Sequence, residues 1–392
     1  MKLSIAEIDK KVLFIYITLS IFGVLMILDI VSVRHSYERF IRQLIWVGLT
    51  IPIFLIVYNI PLYIIRKLAF PLVMISIILL IGTLIPGIGV EVNGVMRRIQ
   101  IGSFGFQPSI LARLALIIYI AHILDKNQEF IEDAGIKNFL MNFRPLWIIP
   151  LIIFILIYFG RDFSTAAITF ILVLTIFFLA RIRLSIILSI ILIALILVFV
   201  IIQMGPKYRK ARIITYVNFI LNKEIPKEKQ EYIYQPKQSL IAISNGRILG
   251  VGSKRGRAKL FYLPFPETDY IFSVIVEEWG FIMSLLILSA YSYIFYRGMR
   301  IAVNTNSLFT SLLIAGCSLN IIINVIINVA VAIVLIPSTG VTLPFISYGG
   351  SSFMINSLCI AIILNANRSS ISLNGKKWQR QRNKLYRELG TS

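Results

Sequence analysis

The sequence predicts an all-α polytopic membrane protein with about ten transmembrane helices and one large extracytoplasmic loop between spans 7 and 8. Two observations carry this prediction. Hydrophobic residues make up 58% of the 392 residues and charged residues 15%, which gives a mean hydropathy of +0.85. Apolar runs also recur along the chain at close to the ~20 helical residues that cross a hydrocarbon core of about 30 Å.

Charged residues, prolines and glycines divide the apolar sequence into ten predicted spans. They are 12–33, 43–58, 68–86, 109–124, 145–159, 163–180, 184–204, 270–296, 308–335 and 343–365. The second and fifth runs are short, and Pro52 and Pro150 within them predict kinks, because proline removes a backbone donor. The first run is long and precedes no small-residue cleavage site, so we expect a span and not a cleavable signal peptide.

Lysine and arginine are concentrated in alternate short loops and in the C-terminal tail, which predicts that both termini are cytoplasmic. The expected organisation is a single transmembrane helix bundle over residues 1–367, containing the large loop at 205–268, and a basic cytoplasmic tail at 368–392. Short amphipathic helices are expected in that loop near 207–222 and 237–249. The loop is basic, and it is either a solvated segment near anionic headgroups or a site for a phosphate-bearing lipid.

Several function classes lack support. The net charge of +21 is divided among membrane-flanking loops without a nucleic-acid-binding motif, so we expect membrane lipids and no nucleic acid as partners. Cys317 and Cys359 fall within predicted spans, and His35 and His122 are isolated, so no metal site is predicted. The sequence has no Walker-type loop, dinucleotide fingerprint or nucleophile-elbow serine, which leaves ATP-driven transport and serine hydrolysis without a motif.

The stretch "LPFPETDYIFSVIVEEWGF" places four acids at the outer end of the eighth predicted span. A helix that begins near Thr268 would put Asp269 in its first turn, where the helix N-terminus favours a charged carboxylate. Glu277 and Glu278 would lie about 12 Å deeper, at a rise of about 1.5 Å per residue. Asp269 is either a capping residue or a functional acid. Glu277 and Glu278 are either structural acids paired with a cation or functional groups.

Two further stretches are polar. "PSTGVTLPFISYGGSSFMINSL" is a broken approach to the last span, of the kind tolerated only beside a cavity or protein. "NGVMRRIQIGSFGFQPSILARLAL" is a predicted outer loop that leads to Arg113, which either snorkels to the interface or faces the bundle. Asn320, Asn324 and Asn328 give the ninth span one polar face, for helix packing or to line a groove.

Four blocks carry a family resemblance: "NGVMRRIQIGSFGFQPS", "QSLIAISNGRILGVG", "LFYLPFPETDYIFSVIVEEWGF" and "TGVTLPFISYGGSS". They resemble the conserved blocks of the SEDS family (shape, elongation, division, sporulation) of peptidoglycan glycosyltransferases, which includes FtsW, RodA and SpoVE. The resemblance covers nearly the whole chain in the family's order. The third block favours the FtsW-like division and sporulation branch over RodA.

The resemblance implies a polymerase that joins the disaccharide-pentapeptide units of lipid II on the outer face of the cytoplasmic (inner) membrane. It also implies a transpeptidase penicillin-binding protein as partner and a septal role. The family's catalytic acid matches Asp269, which we assign as the general base. The residues assigned to substrate binding are Arg97, Arg98, Gln107, Ser109, Arg113, Arg209, Arg212, Gln238, Lys259, Ser347, Tyr348, Ser351 and Ser352. Glu277 and Glu278 are assigned as structural or accessory.

The chain departs from the family pattern at three positions. Ile110 stands where the family usually has Glu, Ile99 where it usually has Trp, and Glu267 where it commonly has His. The chain therefore has no acid at position 110, and like-charge repulsion from Glu267 is expected to alter the acidity of Asp269. The resemblance leaves open whether a divalent cation such as Mg²⁺ assists the leaving group, because no carboxylate cage is visible. Two alternative functions are a lipid II flippase and a noncatalytic scaffold for a penicillin-binding protein.

Overall fold

The fold was obtained as a computed structural model. It describes residues 9–368 apart from 35–36, 93–94, 103, 132–134, 205–206, 222, 225, 227–229 and 254. The predicted basic tail therefore lies outside the described residues beyond Arg368, where the last helix ends. The helices are α1 (Lys10–Arg34), α2 (Tyr37–Asn59), α3 (Leu62–Lys67), α4 (Ala69–Leu84), α5 (Pro108–Lys126), α6 (Gln128–Ile131), α7 (Ile136–Asn142), α8 (Arg144–Phe159), α9 (Phe163–Leu179), α10 (Leu184–Met204), α11 (Lys207–Ile220), α12 (Glu231–Gly246), α13 (Ile271–Val303), α14 (Leu308–Ala332) and α15 (Gly350–Arg368).

The chain is a mostly helical, multi-pass membrane protein. Among the described residues, six helices are long and apolar enough to cross a membrane, namely α1, α2, α5, α13, α14 and α15. A seventh candidate is the pair α7 and α8, which is bent by 77°. That bend lies between the two helices, whereas Pro150 is inside α8. Three further apolar stretches are shorter, namely α4, α9 and the Leu184–Val200 part of α10. Each of the ten predicted runs overlaps one of these elements.

Burial separates central helices from peripheral ones. The most apolar part of α15 is 83% buried and that of α5 is 78% buried, whereas the corresponding part of α2 is only 11% buried. Helix α14 packs against α5, α9 and α13, so these helices form the centre of the bundle. The second span therefore presents most of its apolar side chains to the surroundings, as a lipid-facing helix does.

The segment before α5 forms a sheet, and the all-α prediction is wrong there. Strands β1 (Gly89–Val92), β2 (Val95–Ile101) and β3 (Phe104–Phe106) are antiparallel and lie in the order β1-β2-β3. The short run "VMRRIQI" is bounded by turn residues and includes β-branched side chains that favour strands. Arg97 and Arg98 therefore belong to a paired strand and not to an open loop.

The segment predicted as a large loop, 205–268, contains α11, α12 and a five-residue π-helical turn at Ala258–Tyr262. Helix α12 begins earlier than the sequence predicted and packs against α13. The following helix also differs from the prediction, because α13 begins at Ile271 and not near Thr268. Asp269 consequently lies in a turn that precedes the helix, outside its first turn.

Helix α13 is interrupted at Gly280, whose φ of 78° lies in the left-handed region that favours glycine. In an unbroken helix the N–H groups of Phe281 and Ile282 would bond to the carbonyls of Glu277 and Glu278. Here all four groups bond to the 247–252 segment instead, with N···O distances of 2.9 to 3.3 Å. A Cβ at position 280 would stand 2.4 Å from the backbone nitrogen of Gly250, so the chain past α12 fills the gap in α13.

Candidate active site

A cavity of about 460 Å³ lies between β2, the start of α2, the turn before α13 and the segment that leads into α15. Eight of the predicted site residues line it, namely Arg97, Arg98, Gln107, Arg113, Asp269, Tyr348, Ser351 and Ser352. Five arginines line it in the part of the chain that the structure describes: Arg39, Arg42, Arg97, Arg98 and Arg113. The cavity therefore combines one predicted acid with a strongly cationic wall, which suits an anionic ligand.

Three consecutive backbone carbonyls, those of residues 267–269, are held by groups from other elements. The Tyr348 N–H donates to the Glu267 carbonyl at 2.8 Å, and the Ser347 hydroxyl donates to that of Thr268 at 2.7 Å. The Asn328 amide donates to the Asp269 carbonyl at 3.1 Å. The Asp269 turn, residues 267–269, is thus fixed by α14 and by the segment before α15, which preorganises its carboxylate.

Removal of the Ser347 hydroxyl is expected to lower kcat about fivefold with little change in KM, because a neutral hydrogen bond that positions the Asp269 turn is worth about 1 kcal/mol. The change is Ser347→Ala, and Ser347→Thr restores a hydroxyl. Ser292→Ala is the control, since that exposed serine donates only to the Leu288 carbonyl of its own helix at 2.8 Å. A purely structural role would lower thermal stability and leave kcat of the folded protein unchanged.

Electrostatics at Asp269 has opposing contributions. Burial raises the pKa of Asp269 above its ordinary value, whereas Arg97, a hydrogen bond with Thr268 and Arg98 act to lower the pKa, in that order. Glu267 is not among the groups that shift this pKa, and its carboxylate forms an ion pair with Arg39. The charged groups that lower the pKa of Asp269 are therefore Arg97 and Arg98 of β2.

The floor of the cavity is polar and deep in the bundle. Arg113 is only 4% exposed and donates to the Asn324 side chain at 2.9 Å, so this arginine faces the interior and does not snorkel. Asn320 instead donates to Asn356 of α15 at 3.0 Å. The three asparagines of α14 thus serve different purposes: Asn320 joins helices, Asn324 holds Arg113, and Asn328 holds the Asp269 turn.

Gln107 joins the cavity wall to α9. Its amide donates to Asp162 at 2.9 Å, its backbone N–H donates to the Ser351 hydroxyl at 3.0 Å, and Ser109 donates to the same Asp162 oxygen at 3.3 Å. Asp162 also caps α9 by accepting from the Thr165 N–H at 3.3 Å. Asp162 was not predicted as a site residue, although its place directly before an apolar run is the signal of an N-cap.

Other predicted residues lie away from the cavity. Lys259 is fully buried and forms ion pairs with Asp29 of α1 and, at 2.6 Å, with Glu278 of α13. Glu277 accepts from the backbone N–H of Ala258 at 2.9 Å. Gln238 does not line the cavity either. The side chains of Arg209 and Arg212 lie outside the described part of the chain, although both residues are in α11.

Sequence reasoning missed the contribution of α2. Arg39, Arg42 and Glu38 line the cavity at the N-terminal end of this helix, and Arg42 pairs with Glu38. The available signal is the charged run "YERFIR" immediately before an apolar span, a pattern that by itself indicates only the membrane-flanking end of a helix. Its approach to the Asp269 turn, more than 200 residues later, follows from tertiary packing.

The carboxylates of the cavity do not fit a resident divalent cation. Glu38 and Glu267 are each paired with an arginine, which leaves Asp269 facing Arg97 and Arg98. Among the described residues, no group of three or more His, Cys, Asp or Glu side chains has a geometry suited to a metal. A hard cation such as Mg²⁺ needs several oxygen ligands, and the described residues of the cavity do not supply them.

Comparisons with known proteins agree on one family. The family model described as "Cell cycle protein" (FtsW, RodA, SpoVE) matches residues 10–371. The chain is 33% identical over 368 residues to stage V sporulation protein E of Bacillus subtilis, covering 92% of this chain and 97% of that protein. It is 34% identical over 374 residues to a probable peptidoglycan glycosyltransferase FtsW of Trichlorobacter lovleyi, covering 92% of this chain and 93% of that protein.

Solved structures share the fold. A chain from a structure described as a peptidoglycan synthase complex that coordinates polymerization and crosslinking superposes with a TM-score of 0.76 at 22% identity, covering 94% of this chain and 99% of that one. The rod shape determining protein RodA of Thermus thermophilus superposes with a TM-score of 0.66 at 21% identity, covering 93% and 97%. At these identities the superpositions establish a RodA-like fold.

Proposed function

The chain belongs to the FtsW/RodA/SpoVE family of cell cycle proteins, and we propose that it is a peptidoglycan glycosyltransferase that polymerises lipid II. The observation that carries this proposal is the position of Asp269, beside Arg97 and Arg98 in a cavity lined by five arginines of the described chain. Glycosyl transfer from a lipid diphosphate requires a base and a cationic site for the leaving group, and the cavity holds both.

In the proposed reaction Asp269 removes the proton from the 4-hydroxyl of the acceptor sugar. The freed oxygen forms a bond to the anomeric carbon of the donor, and the bond from that carbon to the lipid diphosphate breaks with inversion. The departing diphosphate keeps the electron pair, and Arg97 and Arg98 stabilise its charge. The raised pKa of Asp269 makes it a stronger base, while the two arginines favour its ionised form.

The pH dependence tests the role of Arg97. Asp269 must be ionised to act as the base, so kcat/KM is expected to fall as pH decreases through its pKa, at a higher pH than for an ordinary aspartate. Since Arg97 lowers this pKa, Arg97→Gln is expected to move the acidic limb to still higher pH. The measurement is kcat/KM for lipid II across a pH series.

Two comparisons make the pH experiment specific. Arg97→Lys keeps the positive charge and is expected to leave the limb close to its original pH, even where KM rises. Gln100→Ala, on the same strand, removes a neutral side chain from the cavity wall and is expected to leave the limb in place. An unmoved limb in Arg97→Gln would contradict the assigned electrostatics.

We extend the proposal to topology and partners. The proposed topology has ten spans, which are the six long helices, the α7 and α8 pair, and the apolar stretches of α4, α9 and α10. An even number of spans puts both termini on the same side, and we assign that side as the cytoplasmic side of the inner membrane. Residues 1–367 then form one bundle, with the segment 205–268 and the cavity on the outer face. The related synthase complex supports a transpeptidase penicillin-binding protein as partner, and the FtsW relatives support a septal role.

The deciding experiment gives lipid II to the purified chain together with its transpeptidase partner and measures glycan strands. Polymer formation supports the glycosyltransferase. A protein that forms no polymer but moves lipid II across a vesicle bilayer is a flippase. A protein that does neither, yet binds its partner and increases crosslinking by it, is a scaffold.

A further inference from the structure

Arg39 and Glu267 form an ion pair between the outer end of α2 and the Asp269 turn. The two side chains have very different surroundings, because that of Arg39 is 42% exposed and that of Glu267 is 2% exposed. One oxygen of Glu267, Oε2, is buried without a hydrogen-bond partner among the described residues. Glu267 therefore depends on Arg39 for charge compensation, whereas the arginine stands at the edge between protein and cavity.

The position of the pair relates it to the reacting groups. Glu267 lies two residues before Asp269, and its carbonyl is held by Tyr348. Helix α2 has only three buried residues, Gln43, Thr50 and Tyr58. Its outer end is nevertheless tied to the cavity wall, because Gln43 accepts from the Gly349 N–H at 3.2 Å. Arg39 is thus held over the cavity on the side of α2, whereas Arg97 and Arg98 belong to the β2 wall.

We infer that Arg39 is a further binding residue for the diphosphate of the lipid-linked substrate and that Glu267 is its positioning residue. This inference rests on the proposed function. A guanidinium has five N–H donors in a planar fork, so it can keep one contact to Glu267 while others reach a phosphate oxygen. When the dianionic ligand enters, Arg39 shares its charge between the buried carboxylate and the diphosphate.

The alternative is that the pair only fastens α2 to the Asp269 turn. The two interpretations predict different results when the buried acid is neutralised. A glutamine at 267 still accepts a hydrogen bond but no longer offsets the arginine charge, so a diphosphate should bind more tightly if Arg39 faces it. Glu267 itself lines the cavity, so part of this gain could come from the lost negative charge alone. If the pair has only a structural role, the gain is kept when Arg39→Gln is added.

The experiment measures equilibrium binding of fluorescent lipid II, and its displacement by farnesyl diphosphate, to protein in nanodiscs. All variants carry Asp269→Asn, so that turnover does not disturb the measurement. Glu267→Gln is expected to bind several-fold more tightly than the parent. Adding Arg39→Gln is expected to weaken binding at least about tenfold relative to Glu267→Gln alone, as the loss of a charged hydrogen bond implies.

The double variant leaves no buried carboxylate without a counterion, so it avoids the folding defect expected of Arg39→Gln alone. From the Glu267→Gln protein, farnesyl monophosphate should displace lipid II less effectively than farnesyl diphosphate does. From the double variant, the two competitors should displace lipid II equally poorly. The matched control is Arg297→Gln with Asp9→Asn. These two residues form a second ion pair between a partly exposed arginine and a buried aspartate, with Arg297 Nε 2.8 Å from Asp9 Oδ2, and neither residue lines the cavity. This control is expected to bind like the parent.

Equal affinity of the single Glu267→Gln and double variants would overturn the inference, and so would unchanged affinity in Glu267→Gln. If the double variant with Arg39→Gln does not fold, Glu267→Gln with Arg39→Met makes the same comparison. Failure of the proposed function is a separate result, because wild-type protein with its partner would then form no polymer from lipid II. Even in that case, the binding measurements would still test whether Arg39 binds the diphosphate.

Discussion

Replacement of Asp269 by asparagine is expected to abolish measurable polymerisation, with a loss in kcat of about 10²- to 10⁴-fold, because an amide of the same shape cannot accept the acceptor's proton. The turn that carries residue 269 should stay intact, since its three backbone carbonyls accept hydrogen bonds from Tyr348, Ser347 and Asn328, which the substitution does not change. The measurement is the initial rate of glycan strand formation from lipid II, together with equilibrium binding of lipid II and thermal stability.

The control for Asp269→Asn is Glu91→Gln, which neutralises an exposed acid on β1 of the neighbouring sheet. We expect this control to retain the parental rate. Retained polymerisation in Asp269→Asn would refute the assigned base. Loss of polymerisation together with loss of lipid II binding would instead indicate that Asp269 holds the substrate and that another group takes the proton.

The largest effect on stability is expected at Lys259. This fully buried lysine compensates Asp29 and Glu278, so Lys259→Met would leave two carboxylates without a counterion. Removal of one partner from a buried charge pair typically destabilises a protein by about 3–5 kcal/mol, because the remaining charge stays desolvated. The free energy of unfolding, measured in mixed detergent micelles, should fall by roughly this amount.

A triple variant, Asp29→Asn with Lys259→Met and Glu278→Gln, removes the charges together and is expected to recover most of the lost stability. Lys137→Met, at an exposed position in α7, is the control for loss of a lysine and should change stability little. The triple variant also tests the role in substrate binding predicted for Lys259. An unchanged KM for lipid II supports a structural role, whereas a raised KM in the stable triple variant would restore the binding role.

The sequence predicted the elements whose signal is local. Apolar runs gave the positions of the spans, and a motif gave Asp269 and its β2 arginines, which do line one cavity. Contacts between distant residues were not predictable in the same way. The pairing of Lys259 with Asp29 joins residues 230 positions apart, and a basic loop residue carries no sign that it will be buried. For the same reason the sequence carries no sign that Arg39 pairs with Glu267.

The short sheet was missed for a different reason. Its strands have three to seven residues and lie between two long apolar runs, so the period-two pattern is too brief to stand out. The interruption of α13 was also not predicted, because Gly280 lies within an otherwise helical and apolar sequence. A glycine there tolerates both the positive φ and the close approach of the chain near Gly250.

The break in α13 has a consequence for how the protein is made. Residues 247–252 form hydrogen bonds with the backbone carbonyls of 277 and 278 and the N–H groups of 281 and 282. Without these residues, the four groups would either bond to one another in a straight helix or lie unpaired in an apolar environment. The ribosome makes α12 and residues 247–252 before α13. The hydrogen-bond partners of the bend are therefore already present when α13 leaves the insertion machinery. A rearranged gene in which α13 is translated before α12 should therefore yield, at first, an uninterrupted membrane helix that must reopen before residues 247–252 can dock.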